Sequence, residues 1–123
     1  MSPGVDALTL GQAWEARAAR FLTARGIRII ARGYRCRLGE IDLVGVDGNV
    51  LVIIEVRARG RGGTAIETVS FRKQRRIIKA TRHFLMRNPK WFSRRIRFDV
   101  VAIDRIDSGK PEIQWVRNAF DAA

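Results

Sequence analysis

Two short runs in the middle of the chain read as strands. Glu40–Val46 and Val50–Ala58 are rich in the β-branched and apolar residues that suit strands. Asp47-Gly48 stands between them, a hairpin signal because both central residues of a type I′ turn need positive φ. With Asp47-Gly48 as a two-residue loop, Val46 pairs with Asn49, Asp42 lies opposite Ile53, and Glu40 lies opposite Glu55. Side chains alternate faces, so this register gathers Glu40, Asp42, Glu55 and Arg57 on one face and Val52, Ile54 and Val56 on the other. A one-residue slip would send the acids of the first strand to the wrong side.

Helical spacing brackets this hairpin. Thr9 and Gln12 form a capping-box pattern that opens a helix from Leu10 to Arg25, closed by Gly26. Trp14, Ala18, Phe21 and Leu22 make its apolar stripe, and Glu15 falls at the stripe's edge. Ile27–Ala31 reads as a strand with Arg32-Gly33 as its exit. Ser70 caps a second helix running to Arg87 and ended by Asn88-Pro89, with Ile77, Ile78, Thr81, Phe84 and Leu85 as its buried stripe. Trp91 and Phe92 read as core anchors. Arg95–Ile103 follows as a strand in which Ile96, Phe98 and Val100 alternate, leaving Asp99 on the other face as a structural acid. Asp104–Pro111 is turn-rich, and Glu112–Val116 reads as a last strand. Met1–Leu8 carries no strong pattern and reads as a loose arm. The whole is one domain of the α/β class: a mixed central sheet with helices packed on it, followed by a C-terminal extension from 104 to 123.

Charge changes the picture more than composition does. The chain of 123 residues carries 24 basic and 12 acidic residues, a net charge of +12, and its basic residues are overwhelmingly arginine. Such an excess points to a polyanion, above all nucleic acid. One cysteine, Cys36, excludes an internal disulfide and a multi-Cys zinc site, and one histidine, His83, argues against a His-rich metal centre. No signal peptide or long apolar run is evident, so the expectation is a cytoplasmic protein with neither a membrane partner nor a small-molecule cofactor.

The cations fall in three places. Arg35 and Arg37 alternate before the hairpin, and Arg59 and Arg61 lie in the Gly- and Arg-rich stretch Ala58–Thr64. On the second helix, Arg72, Arg75, Arg76, Lys79 and Arg82 form a ridge, with no acid between Phe71 and Arg87 to offset their repulsion. Lys73 and Gln74 sit near that helix's N-terminus, where the dipole favours anions. A phosphate backbone explains the helical ridge best. For Arg35, Arg37 and the Gly-Arg stretch, a solvated surface serves equally well. Glu40, Asp42 and Glu55, in turn, would repel one another unless something positive sits among them. A hard divalent cation such as Mg²⁺ is one answer, and pairing with the many arginines is the other.

Five blocks carry a resemblance. They are GQAWEARAARFL (Gly11–Leu22), GEIDLV (Gly39–Val44), IEVRAR (Ile54–Arg59), KQRR (Lys73–Arg76) and RFDVVA (Arg97–Ala102). In this order they resemble the YraN-like family of bacterial proteins. More widely they resemble nucleases of the PD-(D/E)xK superfamily, in particular Holliday-junction resolvases with a restriction-endonuclease-like core. That resemblance implies a structure-selective DNA endonuclease of recombination or repair that uses Mg²⁺ or Mn²⁺. Asp42 and Glu55 would hold the metal, with Glu15 from the first helix completing the site and Glu40 beside it. The lysine of the superfamily's E-x-K motif is replaced here by Arg57, which can neutralise phosphate charge but cannot act as a base. Lys73 is a candidate to replace it in space. The resemblance also implies a homodimer, since junction resolvases cut two strands symmetrically. Two other readings stay open: a DNA-binding module that does not cleave, and an adaptor whose basic surface meets an acidic protein.

Overall fold

A computed structural model of the chain describes residues 9–60 and 69–122. The elements run α1 (Leu10–Thr23), β1 (Arg28–Cys36), β2 (Gly39–Asp47), β3 (Val50–Ala58), α2 (Phe71–Arg87), a 3-10 turn (Pro89–Trp91), β4 (Arg95–Asp104) and β5 (Glu112–Phe120). The arm from 1 to 8, and the Gly- and Arg-rich stretch beyond Gly60 with its Arg61, lie outside the described residues. No described helix is long and apolar enough to cross a membrane.

The five strands form one sheet in chain order, β1-β2-β3-β4-β5. Every neighbouring pair is antiparallel except β3 and β4, which are parallel and joined through α2. This is a mixed α/β sheet flanked by two helices, consistent with a restriction-endonuclease-like core. Burial on both faces explains why β3 and β4 read as nearly continuous apolar runs. Val52, Ile54, Val101 and Ile103 pack with Ala18 and Leu22 of α1. Leu51, Ile53, Phe98 and Val100 pack with Ile77, Ala80, Phe84 and Leu85 of α2.

Local signals hold at the helix ends. The Thr9 hydroxyl accepts from the Gln12 N–H at 3.1 Å, and the Gln12 side chain accepts from the Thr9 N–H at 2.9 Å, closing the capping box. The Ser70 hydroxyl accepts from the Lys73 N–H at 3.2 Å. Gly26, past the end of α1, has φ +94°, a conformation that glycine adopts without strain.

Four expectations are corrected. β1 does not end at Arg32-Gly33 but runs to Cys36. Gly33, at φ +60°, absorbs a kink inside the strand, and a bulge between Ile29 and Ala31 keeps it on β2. The hairpin loop is Gly48-Asn49, because Asp47 stays in the ladder opposite Val50 and accepts from Arg97 Nη1 at 3.0 Å. Gly48 has positive φ and Asn49 does not, so the turn needs glycine only at its first position. The pairing is therefore shifted by two from the expected one, which preserves the faces within the ladder; beyond it alternation breaks, since Ile41 packs with α2 and Leu43 with α1. Phe92 is 66% exposed, since the 3-10 turn seats Trp91 in the core and carries the next residue outward. Finally, β5 extends to Phe120 rather than Val116.

Asp99 is the reason β5 reaches so far. It is fully buried and accepts from Arg97 Nε and Nη2 at 2.9 and 3.0 Å, Trp115 Nε1 at 2.9 Å and the Asn118 N–H at 2.9 Å. The last bond holds a β-bulge opposite Asp99, where Asn118 takes φ 53°. On the other side of the sheet, the Tyr34 hydroxyl and His83 Nδ1 are hydrogen-bonded and tie β1 to α2. At Gly39 the first residue of β2 presses against α2: a Cβ there would stand 2.5 Å from the Arg76 carbonyl oxygen.

Two substitutions test this account by urea denaturation. Asp99→Ala leaves buried donors without an acceptor and should cost about 3–5 kcal/mol; a loss under 1 kcal/mol would refute its anchoring role. Gly39→Ala must push α2 off β2, at about 1–3 kcal/mol, whereas an unchanged midpoint would show that the contact is not tight.

Candidate functional site

The sheet forks between β2 and β3. Their ladder runs from Asp47–Val50 to Leu43–Ile54 and goes no further. Beyond it, β2 keeps its bonds to β1 through Ile41, Glu40 and Gly39, while β3 keeps its bonds to β4 through Glu55, Val56, Arg57 and Ala58. A fork exposes backbone donors that the ladder would have satisfied. Asp42 answers one of them, its Oδ2 accepting from the Val56 N–H at 2.8 Å. The next step of the same register would set Asp42 against Glu55, and the two carboxyl groups are hydrogen-bonded to each other.

Both helices reach this fork from opposite faces of the sheet. α1 brings Glu15, whose carboxyl is hydrogen-bonded to Asp42. α2 brings Lys73, whose Nζ lies 2.8 Å from Glu55 Oε2. The Gly39–Arg76 contact sets how closely α2 approaches β2, and so where Lys73 stands.

Crowding of acids dominates the electrostatics. Carboxyl groups in contact cannot all ionise without cost, so protons are shared among them. Glu55 is only 5% exposed, and burial first, then the charge and hydrogen bond of Asp42, push its pKa up to about 7 against the pull of Lys73. Asp42 is also raised, chiefly by burial and then by Glu15, with the Glu55 and Val56 hydrogen bonds pulling it down. Glu15 is raised by burial and by Glu40 and Glu55, opposed by its bond to Asp42 and by Arg35. Burial lowers Lys73, but its bond to Glu55 and the charges of Glu55 and Asp42 outweigh that and raise it overall. The ammonium is therefore kept charged.

Of the other expected site residues, some border this centre and others lie away from it. Glu40 is exposed at the rim, pairs with Arg35 at 3.4 Å, and lines a cleft of about 180 Å³ with Ser70, Arg72, Lys73 and Arg76. Arg57 is half-buried and close enough to oppose the charge of Lys73. Arg59 leaves the end of β3, its backbone N–H donating to the Ile103 carbonyl at 2.8 Å. Arg37 is exposed in the β1–β2 turn, and Arg72, Arg75, Arg76 and Lys79 are exposed along α2. Gln74 turns inward instead and donates to the Val69 carbonyl at 2.8 Å, bracing the start of α2. The contact that no residue pattern signals is the Val56 N–H to Asp42, because it depends on the ladder stopping.

The donor set bears on a metal. Asp42 and Glu55 supply hard oxygen from adjoining strands, and Mg²⁺ is typically held by one or two carboxylates, with water and phosphate filling its other positions. Among the described residues no group of three His, Cys, Asp or Glu is arranged to hold a metal ion. The fit thus rests on the Asp42–Glu55 pair, with Glu15 behind Asp42 and Glu40 at the rim.

The family model described as "Uncharacterised protein family UPF0102" matches residues 14–103. A UPF0102 protein of Ectopseudomonas mendocina is 43% identical over 115 residues, covering 92% of this chain and 95% of that protein. One from Nitrosococcus oceani is 46% identical over 112 residues, covering 89% and 90%. A third, from Pseudomonas putida, is 38% identical over 122 residues, covering 97% and 98%.

The raised Glu55 makes stability depend on pH in a definite direction. Its folded pKa lies above its unfolded value of 4.5, so its contribution is complete below about pH 4.5 and is lost as pH rises through about 7. The span is on the order of 3 kcal/mol. Urea midpoints at a series of pH values, with divalent ions chelated, should fall for wild type between pH 5 and 8 and stay flatter for Glu55→Gln. Parallel profiles would show that Glu55 does not hold a proton in the fork.

Proposed function

The chain belongs to the YraN family, uncharacterised protein family UPF0102, and on that footing we propose that it binds DNA and hydrolyses its backbone at the fork with a divalent metal. The observation that carries this reading is Lys73 Nζ at 2.8 Å from Glu55, with Asp42 beside it in the fork. An aspartate, a glutamate and an amine at one opening of a sheet make up the acid-and-lysine set of the nucleases that the sequence resembles. The amine comes from α2 rather than from the third position of the E-x-K motif, which holds Arg57.

Asp42 and Glu55 would hold the metal, and Glu15 would orient Asp42 through its hydrogen bond. Bound Mg²⁺ or Mn²⁺ lowers the pKa of a coordinated water and offsets charge on the phosphate. Lys73, kept charged by Glu55, and Arg57 supply positive charge where negative charge develops, so neither acts as a base. The exposed cations of α2, with Arg35 and Arg37 at the turn, hold the phosphate backbone on the same side as Lys73. Contacts of this kind make affinity steep in salt and weak in sequence preference. Action on branched DNA in recombination or repair, by a homodimer in the cytoplasm, belongs to the same proposal.

A second reading has its own support. Lys73 already neutralises Glu55, and the motif lysine is absent. On that reading the fold binds DNA without cutting it.

Labelled four-way junction, flap and duplex DNA with Mn²⁺ separate the two. Hydrolysis is expected from wild type, with at least a hundredfold loss in Asp42→Ala and in Lys73→Ala. If only Arg57→Lys cuts, the natural protein is a silenced nuclease that binds. No binding and no cutting by any of them would sink both readings. Independently, Mg²⁺ or Mn²⁺ at a hundredfold excess over Kd should stabilise the protein by about 2.7 kcal/mol. That gain should vanish in Asp42→Asn, and its absence in wild type would remove the metal from the proposal.

A further inference from the structure

Phe71 is 82% exposed, the largest exposure among the large apolar side chains of the described residues. It contributes nothing to either hydrophobic core and is not needed to start α2, since Ser70 caps that helix. Its neighbours are informative. Residues Phe71, Arg75, Lys79 and Arg82 recur at intervals of four, four and three, one stripe down the outward side of α2. Met86, 74% exposed, ends it. The stripe is thus an aromatic ring followed by three cations over about 20 Å of helix. Cations of the next stripe, Arg72 and Arg76, line the cleft that holds Lys73 and borders the fork. At about 100° per residue, the order around the helix from Lys73 is Arg76, Arg72 and then Phe71.

We propose that Phe71 is a stacking platform for an unpaired base of the nucleic acid, one or two nucleotides from the fork, whose backbone phosphate lies against Arg72 and Arg76. This rests on the reading of the protein as nucleic-acid-binding, and it narrows the substrate to strands that are single or locally unpaired at the site. Cations alone hold phosphates of any strand. A bare aromatic ring among them adds a partner for a π-face that a paired, stacked base does not offer. The charge on this surface also selects for an anionic partner. No acid occurs from Phe71 to Arg87, so an apolar patch for a protein partner would be ringed by uncompensated positive charge.

The test uses the full chain in chelator, so that cleavage does not intervene, and a single-stranded oligodeoxynucleotide against its own blunt duplex. Phe71→Ala is expected to weaken single-strand binding by roughly five- to a hundredfold, the range for one stacked base. Duplex binding should stay within about twofold, and Phe71→Trp should restore the single-strand affinity. A 2-aminopurine base in the strand should be quenched by wild type and not by Phe71→Ala. Equal losses on both substrates, or none on either, would overturn the stacking role while leaving nucleic-acid binding intact. Failure of wild type to bind either substrate would overturn the binding reading itself and the stacking role with it.

Discussion

Everything at the centre of this protein depends on two strands that stop pairing. While β2 and β3 pair, each satisfies the other's backbone, and apolar side chains can cover both faces of the sheet. Where they part after Leu43–Ile54, backbone groups lose their partners in a place too enclosed for free hydration. Asp42 resolves this by accepting from the Val56 N–H. The same carboxylate then stands against Glu55, and a solution to a backbone problem becomes an electrostatic one. The raised pKa values of Asp42, Glu55 and Glu15 record that cost.

Two buried acids of the sheet are accommodated in opposite ways. Asp99 receives four hydrogen bonds, from a guanidinium, an indole and a backbone N–H, and thereby holds the bulge of β5. Its surroundings satisfy it completely. Glu55 is nearly as buried but faces another acid, with a single ammonium from a different element to balance it. Shifted, mutually dependent protonation of this kind concentrates at functional sites because it leaves a group ready to exchange a proton for another cation.

The helices serve this centre from either side. α1 seals one face with small residues, Ala18 and Ala19, and so brings Glu15 within bonding distance of Asp42. α2 covers the other face and turns its cations outward and toward the fork. Its approach is set where Gly39 meets the Arg76 carbonyl, so the glycine of the G-E-I-D block acts on Lys73 across the helix rather than on its own turn.

Much of this was legible in the residues. The capping box at Thr9–Gln12, the Ser70 cap, the extent of β3 and the burial of Trp91 follow from local chemistry, where neighbours in sequence are neighbours in space. The face of Asp42 does not, since Ile41 packs with α2 and Leu43 with α1, so alternation breaks at Asp42. What local chemistry could not settle were outcomes decided at a distance. Arg97, fifty residues away, keeps Asp47 in the strand and moves the turn to Gly48-Asn49. Gly33 looked like an exit and is a kink, because β2 continues to offer β1 its hydrogen bonds. Phe92 stays in solvent while its neighbour Trp91 enters the core, because the 3-10 turn seats only one of the two. The sequence by itself determined which elements form, which faces are apolar, and that the chain is strongly cationic. Only the tertiary structure decided that the ladder ends at Asp42 and that Lys73 reaches Glu55, because both depend on how two helices pack across a sheet.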